Sequence, residues 1–337
     1  MTSLLQVAGA FLRQQVCLLQ GLLFNPGSTF STSSLFVALC IAIAFVFRAR
    51  RRNRRDIRLK VLWRALFPRW MLTSRSSRAD LGFLMLNGSL AGALLGGAIL
   101  ASAPLAAGVE AGLRAVFGTL PRAEIGEIPA RVMVTVTLFL AYELAYWTNH
   151  YVSHRIPILW HFHRVHHTAE VLTPLTTFRV HPVDSIVFSN FLAVFTAVAA
   201  AASAYFLGRP AAELHIGQSN AIFVVFTFVV VHLQHSQFWI PARGWWGRMF
   251  VSPAHHQLHH SDELEHRDKN FGSCLAVWDW LFGTLCAPPR LRPPMRLGSG
   301  PPLPGNHTVR GTLIDPFVSA WRSIPFARLP VGMKLQR

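Results

Sequence analysis

The sequence predicts an all-α integral membrane protein, and three observations carry that expectation. Of its 337 residues 52% are hydrophobic and only 14% are charged, against roughly a quarter charged in an ordinary soluble domain. The net charge of +17 is local, because twelve cations against a single acid, Asp56, lie between Arg48 and Arg78. Charge-poor apolar stretches stand on both sides of that block, which is the cytoplasmic flank of a membrane helix rather than a nucleic-acid-binding surface.

Taken in order, the residues from Gln14 to Phe47 carry no charge. The part from about Ser33 to Phe47 runs into Arg48, Arg50, Arg51 and Arg52, so it reads as a membrane helix with a cytosolic end. Asn25, Pro26 and Gly27 set the preceding stretch apart as an interfacial segment. Arg13 inside it, and the lack of a nearby A-x-A site, argue against a cleaved signal peptide. Leu81 to about Leu105 is a second span, its small residues (GSLAGALLGGA) suited to close helix packing. Residues 106–130 carry three acids and two bases, without the excess of cations seen over 48–78, and read as the outer side, after which Val132 to Trp147 returns toward the cytosol. Ser185 to Gly208 and Leu214 to Val231, joined at Arg209 and Pro210, read as a membrane hairpin. With the arginine block inside, this count puts both histidine-rich segments, 150–181 and 232–266, in the cytosol. Three units follow: an N-terminal membrane segment and basic linker over 1–80, a catalytic domain over 81–287, and a Pro- and Arg-rich cytosolic tail over 288–337 with little apolar periodicity.

Sixteen histidines are the compositional anomaly. His150 and His154 are spaced i, i+4, so on a helix both rings reach one face. His163, His166 and His167 form H-x2-HH, where three rings can converge, and His256, His259 and His260 repeat it about ninety residues later. His232 and His235 stand between them at the cytosolic end of the last apolar stretch. A single histidine of this kind is ordinarily a hydrogen-bonded surface residue; ten in two pairs and two triplets at one membrane depth are a ligand set. They are dispersed among Trp, Phe and Leu, unlike a metal-storage tract, and haem ligation would not need three rings on one turn. Imidazole suits Zn, Cu, Fe or Ni. Ten nitrogens exceed what one tetrahedral zinc takes and fit two five- or six-coordinate ions. Four cysteines, Cys17, Cys40, Cys274 and Cys286, have neither CxxC nor paired spacing, which indicates no thiolate site. No HExxH, GxSxG or phosphate-binding glycine loop competes for the chemistry.

From roughly Glu143 to Leu285 these motifs, with Asn270-Phe271-Gly272, Trp278-Asp279 and Phe282-Gly283 closing them, resemble the sterol desaturase and fatty acid hydroxylase superfamily of integral membrane non-haem di-iron enzymes. The resemblance implies a four-helix membrane core, here with an additional N-terminal span, capped by a cytosolic histidine-rich helical domain. It implies two iron ions, dioxygen and externally supplied electrons, and it carries the ligand role to His150, His154, His163, His166, His167, His256, His259 and His260. His232 and His235 take the place of the family's intermediate pair, at a spacing of three where some members use four. Glu143 stands where the family commonly has Asp, and Tyr151 where it has Arg. His181, in a histidine-proline element of the sterol-type members, is read as supporting the ligands from outside, as are Glu143, Asn270 and Asp279. His161, His255 and His266 flank the motifs as entrance, relay or surface groups, and His215 and His307 are structural or solvent-facing.

The resulting expectation is an oxygen-dependent hydroxylase of an unactivated C–H bond in a membrane lipid, a sterol, a fatty acyl chain or a relative of these. It is multi-pass in the manner of a bacterial inner-membrane protein, with its active site on the cytosolic side. No HPGG element of a fused haem domain occurs, so the electrons come from a separate reductase, cytochrome or ferredoxin. Desaturation on the same centre is the alternative. A metal transporter or sensor would want ionisable ligands within its spans, and a membrane zinc hydrolase would leave most of the histidines unexplained.

Overall fold

A computed structural model of the chain describes residues 4–25, 28, 30–87, 99–214, 220–300 and 305–324. Among them the regular structure is helical, with two isolated β-bridges, Phe250 to Leu275 and Ser261 to Leu297, and no strand. Three helices are long and apolar enough to cross a membrane: Thr32–Arg52, Glu127–Arg155 and Pro182–Leu207.

The chain opens with α1 (Leu4–Phe24) and α2 (Thr32–Arg52). Ser31 caps α2 by accepting the Ser34 N–H at 3.2 Å, and Arg50, Arg51 and Arg52 fill its last turn, where cations complement the helix dipole. The basic block then folds as α3 (Leu59–Leu66), α4 (Arg69–Thr73) and the start of α5 (Arg75–Leu86). Of the expected second span, 88–98 lies outside the described residues. Beyond it, where an outer loop was expected, stands α6 (Ser102–Phe117). The balanced charges that suggested a loop are a helix pair, Arg114 to Glu110 at 2.7 Å with i, i+4 spacing, set in a run of good helix formers.

The central helix α7 (Glu127–Arg155) has 29 residues and at 1.5 Å per residue is about 43 Å long. That exceeds the ~30 Å apolar thickness of a bilayer, so the helix has turns to spare beyond a single crossing. After α8 (Pro157–His167) and a 3-10 turn at Pro174–Phe178, the chain enters α9 (Pro182–Leu207), which packs on α6 and α7. Its buried stripe of Ala193, Ala197, Ala201 and Ala204 permits close approach. Gly208 ends α9 at φ 62°, and a Cβ there would lie 2.7 Å from the Arg122 Cα, so both conformation and space require glycine.

In the region of the expected last span the described residues form α10 (Ala211–Leu214) and one apolar helix over Ala221–Gln234, made of α11 (Ala221–Phe226), a π turn over Thr227–Val231 and α12 (His232–Gln234); 215–219, with His215, lie outside the description. Thr227 Oγ1 donates to the Phe223 carbonyl at 3.0 Å within this β-branched run, which holds a regular helix poorly. Next come α13 (Gly244–Met249), α14 (Pro253–His259) and α15 (Val277–Leu281). The tail is also more ordered than its composition suggested. A π turn at Arg310–Ile314 leads into α16 (Asp315–Ser323), which packs on α8 with Phe317 edge-on to Phe162 at 5.1 Å.

One buried ion pair ties these parts together. Arg179 and Asp80, both with fully buried side chains, meet at 2.8 Å. Arg179 also donates to the carbonyls of Val165, Ser76 and Asn306, and Thr176 Oγ1 donates to Asp80 at 2.7 Å. α5, α8, the 3-10 turn and the C-terminal segment thus share one charge pair. Removing one partner strands the other, at a cost of roughly 3–5 kcal/mol. Asp80→Ala should therefore lower the melting temperature of the detergent-solubilised protein strongly, and Asp80→Ala with Arg179→Met should recover part of the loss. An unchanged melting temperature in Asp80→Ala would contradict this role.

Candidate metal centre

Nine of the ten expected histidines come together at the end of α7, in two adjacent groups. The first holds His150, His154, His163, His167 and His259; the second holds His166, His235, His256 and His260. Within each group the ring nitrogens lie within 4.8 Å of one another. The groups share a border, where the rings of His167 and His260 stack at 4.7 Å.

Helix geometry explains the partition. At 3.6 residues per turn, positions i and i+4 point within about 40° of each other, while i+3 lies about 60° to the other side. In each H-x2-HH motif the outer pair therefore enters one group and the middle histidine the other. His163 and His167 join the first and His166 the second; His256 and His260 join the second and His259 the first. The motifs on α8 and at α14 interlock with opposite sense, so the three rings of a motif do not converge on one point.

Six of the nine rings are held from behind, whereas Nδ1 of His256 and His260 is buried without a hydrogen-bond partner. His150 donates through Nδ1 to the Phe271 carbonyl at 2.8 Å, His259 to that of Lys269 at 2.8 Å, and His166 to that of Arg179 at 3.2 Å. His163 donates to Asp184 at 3.0 Å and His154 to Asp268 at 3.3 Å, while Nδ1 of His235 meets Thr177 Oγ1 at 3.2 Å. A neutral imidazole has one N–H. Where Nδ1 uses it, as in His150, His154, His163, His166 and His259, Nε2 presents a lone pair, and the Nε2 atoms crowd together: 3.1 Å for His154 and His167, 3.3 Å for His167 and His163, 3.2 Å for His235 and His166, each an N–H···N contact whose donor is set by the tautomers of the two rings. His256 and His235 meet likewise at 2.8 Å. The Nε2 atoms of His150 and His259 are buried without a hydrogen-bond partner.

Protonation does not relieve this crowding. Burial first, and then neighbouring rings, push His167, His256 and His260 well below the ordinary histidine range, as burial does His166. Burial takes His259 down to about 3, only partly offset by the Lys269 carbonyl. Buried lone pairs without a donor, as at Nε2 of His150 and His259, suit a cation placed between the rings. Two nitrogens bound at right angles to one ion at 2.0–2.1 Å stand about 3 Å apart, which is the spacing observed. The residues fit a pair of metal ions.

His232 is placed elsewhere. Its Nε2 meets Ser34 Oγ of α2 at 2.8 Å, buried, with Phe30 edge-on to the ring at 6.0 Å. The i, i+3 spacing would align His232 with His235 only on a continuous helix. Instead α12 ends at Gln234, and His235 leaves it at φ −95°, ψ 66°.

The four expected supporting residues act at a distance from the rings. Asp279 accepts the N–H groups of Phe271 and Gly272, both at 2.8 Å, together with the Trp147 indole and the Thr284 hydroxyl. It thereby fixes the loop whose Phe271 carbonyl orients His150. Glu143 accepts the N–H groups of Cys274 and Leu275 in the same loop. Asn270, at φ 58°, binds the His255 and Cys286 backbones. His181 caps α9 by accepting the Val183 N–H at 3.1 Å, and α9 delivers Asp184 to His163. Of the flanking rings, His255 bonds Ser252 and His266 bonds Ser261, and both are buried. His307 is tied to the Arg179 guanidinium.

Sequence reasoning missed the two carboxylates that hold ligand rings. Asp184 had a faint signal, three residues after His181 in HPVD at the start of a helix; Asp268 meets a ring 114 positions away and had none. Trp160, one of the aromatic residues expected around the ligands, is tilted against His154 with ring centroids 4.9 Å apart. With His154, His167 and His259, Trp160 lines a polar mouth of about 300 Å³ that includes Asp262, Arg267 and Asp268. On the opposite approach, one turn before His150, Tyr146 stands edge-on to His150 at 5.5 Å and to Phe188 at 5.6 Å.

Comparison with known proteins agrees with this picture. A fatty acid hydroxylase family model matches residues 135–284. The ornithine lipid hydroxylase OlsE of Rhizobium tropici is 29% identical over 163 residues, 48% of this chain and 44% of that protein. The alkylglycerol monooxygenase of Homo sapiens is 27% identical over 43% of this chain and 29% of its own length. The lathosterol oxidase of Mus musculus is 25% identical over 49% of this chain and 50% of its own. The matched stretch thus spans half or less of each of these relatives. No solved structure gives a significant match. Residues 135–284, which contain all nine gathered histidines, thus match the fatty acid hydroxylase family and are similar to these lipid hydroxylases and oxidases.

Proposed function

We propose that this chain hydroxylates an unactivated C–H bond of a membrane lipid, using dioxygen and two non-haem iron ions held by the nine gathered histidines. The observation that carries the reading is the pair of histidine-only groups, five rings beside four, buried at the end of a helix of membrane-spanning length. Two redox-active ions without thiolate or carboxylate ligands suit oxygen activation. When bound, they supply the oxidising equivalents; the chain contributes orientation and exclusion of water. Asp184, Asp268 and the three carbonyls fix the tautomers of five rings before metal arrives. Tyr146, Phe188 and Phe271 give the approach beside His150 an aromatic wall for a lipid chain. The relatives named above take an ornithine lipid, an alkylglycerol and lathosterol by their names, which supports a lipid substrate.

The catalytic unit is assigned to 81–287, with electrons delivered by a separate reductase, cytochrome or ferredoxin. The basic block and both histidine segments are assigned to the cytosolic side, as the positive-inside bias requires. Reporter fusions at Gly108 and Arg337 should then report opposite compartments, and a shared compartment would refute this topology.

The ligand assignment has its own test. Purified wild-type protein and His232→Gln should each hold about two iron ions per chain, whereas His235→Ala should fall toward one. Loss of an ion in His232→Gln, or two ions retained in His235→Ala, would contradict the nine-ring set. For the reaction, cells grown under oxygen-18 with and without the protein should differ by a lipid carrying one labelled oxygen. A lipid lacking two hydrogens and unlabelled would establish desaturation instead, and an unchanged lipid profile would remove the lipid substrate.

A further inference from the structure

Apart from the metal centre, a cavity of about 1150 Å³ opens between α5 and the C-terminal residues 307–313. None of the nine gathered histidines lines it. Its walls are apolar, formed by Ala79, Phe83 and Leu86 on one side and Val309 and Leu313 on the other. Arg75 and Arg78, one helical turn apart and both exposed, stand on the same lining. Spaced i, i+3, their side chains share a face of α5. Two further charged or titratable groups face the cavity, Glu170 and His307, and these pair with each other at 3.4 Å. Among the described residues neither Arg75 nor Arg78 has an acidic partner, whereas the buried Arg179 behind His307 is fully engaged by Asp80. The cavity thus offers two free guanidiniums beside a long apolar hollow, larger than the ~300–1,000 Å³ that suits a drug-sized ligand.

That combination selects an amphiphile with an anionic head. Arginine binds phosphate oxygens through paired N–H groups, and basic residues beside a membrane helix attract anionic lipid. We propose that this cavity binds one anionic phospholipid, its phosphate on Arg75 and Arg78 and an acyl chain along Phe83, Leu86 and Leu313. The site stands independently of the metal centre, and its occupancy is measured without turnover.

The test uses the full chain in neutral detergent, incubated with phosphatidylglycerol or with phosphatidylcholine of the same acyl chains and examined by native mass spectrometry. Wild type should retain phosphatidylglycerol at least tenfold over phosphatidylcholine. Arg75→Gln with Arg78→Gln should abolish that preference while leaving metal content unchanged. Gly82→Phe should lose both lipids, because Gly82 lines the cavity and a Cβ there meets nothing within 4 Å, so the ring enters open space. Inorganic phosphate in excess should not displace the lipid; if it displaces it fully, the site is a phosphate site and the lipid proposal falls. Equal retention of the two lipids, or selectivity that persists in the double variant, would likewise overturn it.

Discussion

The arrangement of this protein depends on a crowding of imidazole nitrogens that the chain enforces on itself. Nine imidazoles are gathered in two buried groups, and the carbonyls and carboxylates behind five of them accept the Nδ1–H. Those five rings turn Nε2 lone pairs to the centre, where neighbouring ring nitrogens stand about 3 Å apart. Separate elements must be held rigidly for such a cluster to persist, and the surrounding contacts do that. The Asp279 carboxylate fixes the 271–284 loop, the Arg179 and Asp80 pair clamps α8 to α5, and α16 covers α8 from outside. A partly satisfied buried polar network is costly, so the rigidity and the cation requirement are two sides of one constraint.

The same constraint explains how a membrane helix and a polar site coexist. α7 is longer than a bilayer needs, and its last turns carry His150 and His154 to the level of α8 and α14. The cluster therefore has a polar mouth on one approach, lined by Asp262, Arg267 and Asp268, and aromatic side chains on another, at Tyr146 and Phe188.

Much of this was legible in the sequence because helical spacing is a local property. The i, i+4 pair at His150 and the two H-x2-HH motifs announced converging rings, and the apolar stretches announced membrane-length helices at 32–52, 127–155 and 182–207. What was not legible depended on register or on distance. The division of each motif between two groups follows from a 100° step that a spacing rule flattens. His232 parts from His235 because α12 ends at Gln234, before the helical turn on which their pairing was counted is complete. Asp184 and Asp268 reach their rings only through tertiary folding. Residues 102–117 and 315–323 looked like loop and tail because balanced charge and proline hid helices that their neighbours stabilise.

The central claim, two metal ions each enclosed by its own histidine group, is tested most directly by a crystal structure of the iron-loaded chain with anomalous diffraction recorded at the iron edge. The account predicts two peaks, one among His150, His154, His163, His167 and His259 and one among His166, His235, His256 and His260, with iron–nitrogen distances near 2.0–2.2 Å. A single peak, or iron bound at His232 outside these groups, would contradict it.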